Sequence, residues 1–410
     1  MPLIPSRDFP AQRIAANPTP AIPEFEGLRG LMAWWVVFGH MAQLAGYSGV
    51  QNTLAWPMVV LLRGSVPVDV FITLSGFVIF SMLSRASALQ YRPYLLGRFF
   101  RLYPAYLVAL LLALLTIPLA VTAHSAPWSD PQAASDALAR IASTSQHGPE
   151  HVWLHLTLLH GLVADQWLPY AGDALLSPAW SLSLEWQFYL VAPLLLLLLR
   201  KHWLWWAGAC MVVLALKWLL IHSPLTFSYG AFLPVKFEFF ILGMGSCMVW
   251  QRCVRHSSLR ACTGPLLALA ACIVAAYAVM AFTGGMREHF FSLVIWLLVF
   301  SAALGRAMLG KVTLISSVLS YPVLQKIGQF SYSTYIIHMV LLFAVGAGMV
   351  HVLADHNPTR GTVLVLMVVV CSPLILLASM GLYRFVEQPG IQMGKTLRGR
   401  FQRRVASQTV

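Results

Sequence analysis

An arginine and a histidine at the start of the first apolar run are the residues best placed to do chemistry. Arg29 and His40 are eleven positions apart, which puts both on one face of an α-helix, about 16 Å apart along its axis. Ionisable side chains are costly inside a membrane helix, so each is by default a functional-site hypothesis. The alternatives are an interfacial anchor for Arg29 and a hydrogen-bonded packing role for His40.

Two more arginines could bind a phosphate. Arg98 and Arg101 lie in the segment from Arg92 to Pro104, which we predict to be a loop that contains a short helix. At positions i and i+3 their guanidinium groups point the same way and could clamp a phosphate. Arginines that only set membrane topology, or that contact lipid headgroups, would produce the same pattern.

Two acids are candidates for pairing with a base. Glu185 shares a helical face with Tyr189 at i and i+4. Its carboxylate could hold a ring nitrogen of a histidine, fixing the tautomer and stabilising the imidazolium. Helix capping within an interfacial aromatic cluster is the alternative. Asp69, near the start of the second apolar run, could pair with a base, although stabilisation by the helix dipole is the simpler explanation.

A polar stripe marks one of the later apolar runs. Ser331, Tyr335 and His338 occur at i, i+4 and i+7, so they share one helix face. Such a stripe either lines a cavity or joins helices through hydrogen bonds.

Neither the histidines nor the cysteines predict a metal site. His151, His155 and His160 have no acid ligand beside them, which favours packing or interfacial roles. The six cysteines show no zinc-like pairing.

The composition requires a membrane. Of the 410 residues, 59% are hydrophobic and 10% charged, with a mean hydropathy of +0.73. The net charge of +13 does not indicate nucleic-acid binding, because the basic residues stand at the ends of apolar runs. We predict an all-α polytopic membrane protein with about ten transmembrane helices. They span residues 28–46, 65–84, 104–122, 184–199, 203–221, 233–250, 264–282, 289–305, 328–350 and 362–384.

The basic residues also predict the topology. With the first residues in the cytoplasm, twenty of the 27 lysines and arginines fall in cytoplasmic segments and only four in external loops. This bias predicts that both termini are cytoplasmic. We predict a disordered tail over residues 1–25, a transmembrane domain over 26–389 and a basic cytoplasmic tail over 390–410.

The order of these motifs resembles the acyltransferase 3 family over residues 25–389. The motifs are Glu-Gly-Leu-Arg-x10-His, Val-Asp-Val-Phe-x3-Ser-Gly-Phe, Arg-x2-Arg-Leu-x-Pro, Trp-Ser-Leu-Ser-Leu-Glu-x-Gln-Phe-Tyr, Phe-Ser-Tyr-Ser-x-Tyr-x2-His and Glu-x-Pro. The chain departs from the family in two places. Glu26 stands where many members have Asp, and Trp186 follows Glu185 where a second Glu is frequent.

The resemblance implies a ten- or eleven-span enzyme of the bacterial cytoplasmic membrane. Such enzymes take an acyl group, usually acetyl, from cytoplasmic acyl-coenzyme A and place it on a hydroxyl, often of an extracytoplasmic or lipid-linked glycan. It further implies that Arg29 and His40 are the essential pair, that Arg98 and Arg101 contact coenzyme A phosphates, and that Glu185 is the acid accompanying the histidine. Further cavity candidates are Glu26, Asp69, Ser331, Tyr335 and His338.

A proton-coupled secondary transporter, exporting a sugar or lipid-linked intermediate, is the alternative from another class. Arginine, glutamate, lysine and histidine within spans suit proton coupling. The spans show no obvious inverted repeat of interrupted helices, and the ordered motifs favour the enzyme.

Overall fold

Helices alone build the part of the chain that the computed structural model describes, which is residues 22–48, 56–85, 90–256, 273–274 and 286–408. In the first half they are α1 Pro23–Ala42, α2 Trp56–Leu62, α3 Ser65–Ser84, α4 Tyr91–Leu115, α5 Ile117–His124, α6 Pro131–Gln146, α7 Gly148–Leu156, α8 Ala179–Lys201 and α9 Trp203–Ile221. In the second half they are α10 Leu233–His256, α11 Met286–Leu309, α12 Leu314–Leu319, α13 Pro322–Gln329, α14 Ser331–Leu353, α15 Arg360–Leu382 and α16 Gln388–Gln408.

The predicted fold class is confirmed. Within the described ranges, eight helical segments are long and apolar enough to cross a membrane, as expected for an all-α polytopic membrane protein. Helices α3 and α9 begin and end where spans 65–84 and 203–221 were predicted. Residues 1–21 lie outside the described residues, as does the predicted span 264–282 apart from residues 273–274. The count of ten and the cytoplasmic termini stay predictions.

Two segments predicted to lie outside the spans are helical. The predicted loop from Arg92 to Pro104 forms the first turns of α4, because a membrane helix tolerates Pro104 in its interior. The predicted tail over 390–410 is helical as far as Gln408. Helix α16 continues α15 through a π-helical turn, Tyr383–Glu387, and packs on α4. Because this segment is rich in basic residues, the sequence did not indicate that it packs on another helix.

Glycines bring α1 against α12 and α13. A Cβ added at Gly27 would lie 2.0 Å from the carbonyl oxygen of Leu319, and one at Gly328 would lie 1.9 Å from that of Glu26. No side chain fits at these distances, so the glycine of the Glu-Gly-Leu-Arg motif is required by packing. It fixes the start of α1, which carries Arg29.

Substituting Gly27 with Ala should therefore destabilise the protein. The methyl group would overlap backbone atoms that cannot move independently, and overpacking of this kind costs about 1–3 kcal/mol or more. We expect a lower thermal unfolding midpoint in detergent. Gly305→Ala is the matched control, because a Cβ there meets nothing within 4 Å. Equal midpoints for the two variants would contradict the packing argument.

Candidate functional site

Most of the predicted site residues line one cavity of about 220 Å³, here called the arginine cavity. It begins at the end of the helix bundle where α1, α4 and α14 start, and it extends along α3 and α8. The predicted residues that line it are Glu26, Arg29, Arg98, Arg101, Glu185, Ser331 and Tyr335.

The arginines of this cavity differ in their partners. Arg101 pairs with Glu387, whose other carboxylate oxygen accepts a hydrogen bond from Ser333 at 2.6 Å. Arg29 lies 3.5 Å from Glu26. The guanidinium of Arg98 lies 5.9 Å from the ring centroid of Tyr189, and its buried Nε has no hydrogen-bond partner among the described residues. A phosphate would supply acceptors for such a donor.

Glu185 is held within the arginine cavity. Its Oε1 accepts hydrogen bonds from the Ser75 hydroxyl at 2.8 Å and from the Tyr189 hydroxyl at 2.5 Å. The i, i+4 relation with Tyr189 is therefore an internal hydrogen bond. Among the described residues, the hydrogen bonds of Glu185 go to these two hydroxyls and none to a histidine ring. Spacing within one helix does not reveal which neighbouring helix an acid faces.

His40 and His338 form a pair. Gly30 packs against the backbone of Gly328. His40 and His338 follow ten residues after these glycines, and the centroids of their imidazole rings lie 5.3 Å apart. The Nδ1–H of His40 donates to Oε1 of Gln43 at 3.0 Å. The Nδ1–H of His338 donates to the carbonyl oxygen of Tyr335 at 2.7 Å. Both rings therefore keep the Nε2 lone pair for accepting a proton.

His338 is the more enclosed member of the pair. Its side chain is buried, and its Nε2 has no hydrogen-bond partner among the described residues. Along α14 it stands between Tyr335, which lines the arginine cavity, and Met339, which lines a second cavity. A buried acceptor without a donor is rare in folded proteins and calls for a functional explanation.

The second cavity, here called the histidine cavity, has a volume of about 270 Å³ and is polar. It lies at the end of α1 opposite to the arginine cavity, and α6 forms one of its walls. The polar residues that line it are His40, Gln43, Ser48, His124, Ser129, Asp130, Asp136, Arg140, Ser177 and Tyr229.

Asp69, predicted as a cavity residue, lines neither of these cavities. Its buried carboxylate lies 2.7 Å from the Lys236 ammonium and 2.7 Å from Nδ1 of His289. The close crossing of α3 and α10 brings these groups together, since Gly76 and Gly243 leave no room for side chains where they pack. This supports the pairing role for Asp69 over the helix-dipole explanation.

Several residues in or beside the two cavities were missed by sequence reasoning. Gln43 could have been found, because it lies one turn beyond His40 on the same helix. Glu387 lies in the Glu-x-Pro motif, but nothing in that motif names Arg101 as its partner. Arg140 is fixed by Asp173 at 2.8 Å. Such a pair is set by tertiary structure and leaves no local sequence signal.

His151, His155 and His160 pack together in the segment between α4 and α8. The rings of His155 and His160 stack at 4.1 Å, and the Nε2–H of His160 donates to the carbonyl oxygen of Ala179 at 3.0 Å. His151 Nε2 lies 3.2 Å from the Ser143 hydroxyl. Burial lowers the pKa of His160 to about 4, and burial beside His160 keeps the pKa of His155 well below its usual range.

Acid should therefore destabilise this segment. In the unfolded chain these histidines take up protons below pH 6.5, whereas the folded His160 stays neutral down to about pH 4. The unfolded state then binds more protons than the folded state. The contribution of these histidines to the free energy of unfolding is therefore fully present above pH 6.5 and is lost as the pH falls, by about 3 kcal/mol for His160. Thermal unfolding midpoints of the purified protein between pH 7 and pH 4 measure this loss. His160→Gln keeps an N–H donor for Ala179 and should flatten the profile, and an identical slope in that variant would contradict the assignment.

Comparisons with known proteins bear on what the two cavities do. A family model described as an acyltransferase domain matches residues 22–384. The acyltransferase MdmB of Streptomyces mycarofaciens is 27% identical, over 78% of this chain and 79% of that protein. No solved structure matches the chain.

Proposed function

Because the chain belongs to the acyltransferase 3 family, we propose that it is an O-acyltransferase that uses acyl-coenzyme A, with acetyl as the group transferred. The acceptor is a hydroxyl of an extracytoplasmic or lipid-linked glycan. The observation that carries the proposal is the pair of cavities at opposite ends of α1, with His40 lining one of them and His338 beside it. Donor and acceptor then approach the same imidazole from opposite sides.

The arginine cavity suits the donor. Coenzyme A carries several phosphates, and this cavity holds Arg29, Arg101 and the buried Nε of Arg98, which has no hydrogen-bond partner in the part of the chain that the structure describes. Apolar side chains such as Val68, Phe71 and Ile72 also line it, which suits the pantetheine arm. The bias of basic residues along the sequence supports a cytoplasmic position for this end. The resemblance to the family is the ground for proposing the bacterial inner membrane as its location.

His40 is the proton acceptor in this scheme. Its Nε2 removes the proton of the acceptor hydroxyl as that oxygen attacks the thioester carbonyl. The new C–O bond forms, the C–S bond breaks, and the proton passes to the sulfur of coenzyme A. A route through acyl-His40 differs in one respect, because the imidazole then attacks first. Labelled acetyl retained on the protein without acceptor would favour that route.

The experiment compares the purified protein with acetyl-coenzyme A and with the same molecule lacking its 3′-phosphate. We expect acetyl-coenzyme A to raise the thermal unfolding midpoint, and the dephospho form to raise it less. Transfer of labelled acetyl to glycan in native membranes should accompany binding. No stabilisation by either molecule would overturn the proposal and favour a proton-coupled transporter.

Arg98→Ala should weaken donor binding. Loss of a phosphate contact costs about 1.5–3 kcal/mol, which is at least a tenfold rise in the KM for acetyl-coenzyme A. The dephospho form should lose less affinity if Arg98 contacts the 3′-phosphate. Arg92→Ala is the control, since this arginine lies on the same helix but is exposed and lines neither cavity. Equal KM values for the two variants would contradict a phosphate role.

A further inference from the structure

The wall of the histidine cavity formed by α6 presents polar groups that are separated by small residues. Asp136 and Arg140 lie one turn apart on this helix, and Asp130 caps its N-terminus by accepting from the N–H of Ala133 at 2.9 Å. Ala133, Ala134 and Ala137 also line the cavity. Their methyl groups leave its volume free, so the space between the polar groups is open to a ligand.

Tyr229 provides an aromatic face to the same cavity. Its backbone is left-handed, with φ of 55°, a conformation that costs a non-glycine residue about 1–3 kcal/mol and persists where its surroundings enforce it. The Ser228 hydroxyl, which donates to Asp165 at 2.6 Å, is one such restraint. The ring stacks on that of Trp180 at 5.8 Å, yet Tyr229 remains 57% exposed. One face of a rigid ring is therefore available at the cavity.

Arg140 adds a fixed planar donor. Its guanidinium is held by Asp173 at 2.8 Å, so its remaining N–H groups have a set direction. A guanidinium in this state can donate to two neighbouring hydroxyls at once. An aromatic face beside a fixed planar donor is suited to a ring that is apolar on its face and carries hydroxyls at its edge.

The volume and charge of the histidine cavity further limit the class of ligand that can bind there. The volume of about 270 Å³ is near the lower limit of small-molecule pockets, about 300 Å³, which leaves room for one sugar ring. The positive charge of Arg140 is matched by Asp173, whereas Asp130 and Asp136 add two carboxylates to the lining. These carboxylates repel an anionic ligand and tolerate a neutral or amine-bearing one.

We propose that the histidine cavity is the acceptor subsite for a single pyranose ring, neutral or amine-bearing, which stacks on Tyr229 and is hydrogen bonded by Arg140. Uronic acids are excluded by Asp130 and Asp136. This inference rests on the proposed function in taking His40, at the floor of the cavity, as the reaction centre.

Sugar binding can be measured without the donor. Saturation-transfer NMR on the full chain in nanodiscs would use three probes, methyl glucoside, methyl glucosaminide and methyl glucuronide. We expect signals from the first two and at least tenfold weaker binding of the glucuronide. Tyr229→Ala should weaken glucoside binding about tenfold, and Tyr229→Phe, which keeps the ring, by less than threefold. Ala133→Leu should fill the cavity and abolish binding.

Trp153→Ala is the control for loss of an exposed aromatic ring, because Trp153 is 68% exposed and lines neither cavity. Its binding should equal that of the wild type. Equal or tighter binding of the glucuronide, no binding of any probe, or full binding by Tyr229→Ala would overturn the inference. Glucoside binding without acetyl transfer in the presence of acetyl-coenzyme A would support the subsite and overturn the proposed function instead.

Discussion

His40→Ala should lower acyl transfer by about 10²- to 10⁴-fold, the range that general-base catalysis contributes. The Nε2 of His40 carries a free lone pair because Nδ1–H is engaged by Gln43, and the ring lines the histidine cavity. Alanine removes the proton acceptor and leaves the arginine cavity untouched. The measurement is the rate of labelled acetyl transfer from acetyl-coenzyme A by purified protein, with donor binding followed by thermal stabilisation.

The control for this variant is His124→Ala. His124 lines the same cavity but lies outside the pair with His338, so its loss should change the KM of the acceptor more than kcat. Retained stabilisation by acetyl-coenzyme A in His40→Ala would show that the variant is folded. A near-normal rate of acetyl transfer by the folded variant would contradict the assignment of His40 as the general base.

His338→Asn should lower transfer by about 100-fold while leaving the fold intact. The asparagine amide can still donate to the carbonyl oxygen of Tyr335, as Nδ1–H of His338 does at 2.7 Å. What the variant lacks is the buried Nε2, which has no partner among the described residues and lies on the ring beside His40. We expect this lone pair to accept a hydrogen bond from protonated His40 or from the acceptor hydroxyl during the reaction.

A structural role for His338 predicts a different result. Were it only a packing residue, His338→Asn would lower the thermal unfolding midpoint and the rate together. His351→Asn serves as the control, because this histidine lies on the same helix beyond both cavities. A normal rate with an unchanged midpoint in His338→Asn would remove His338 from the mechanism.

Local periodicity explains what sequence reasoning could reach. The stripe of Ser331, Tyr335 and His338 and the shared face of Arg29 and His40 depend only on helical geometry, and both occur on the helices that line the cavities. The meeting of His40 with His338 needs the relative register of two helices. Gly30 of α1 packs on Gly328 at the end of α13, just before α14 begins, and no pattern within α1 or α14 reveals that contact.

Contacts between side chains of different helices were the hardest feature to predict from the sequence. For Glu185 the sequence left open a histidine contact or a place in an interfacial aromatic cluster, and it did not reveal the hydrogen bond from Ser75, because neighbours in a bundle depend on which helices pack together. Asp69 was predicted as a cavity residue, yet the crossing of α3 and α10 buries it against Lys236. The boundary at Pro104 was missed for another reason, since proline is a weaker stop signal in membrane helices than in soluble ones.

The π-helical turn at Tyr383–Glu387 has a consequence for where this protein can be shortened. Glu387, which pairs with Arg101, lies just beyond the family match at residues 22–384, and α16 follows it directly. Gly390 and Gly394 seat that helix on Pro104 and Phe100 of α4. A protein truncated at residue 384 would lack the Glu387 carboxylate that pairs with Arg101 and the helix α16 that packs on α4. The smallest functional unit therefore includes the C-terminal helix.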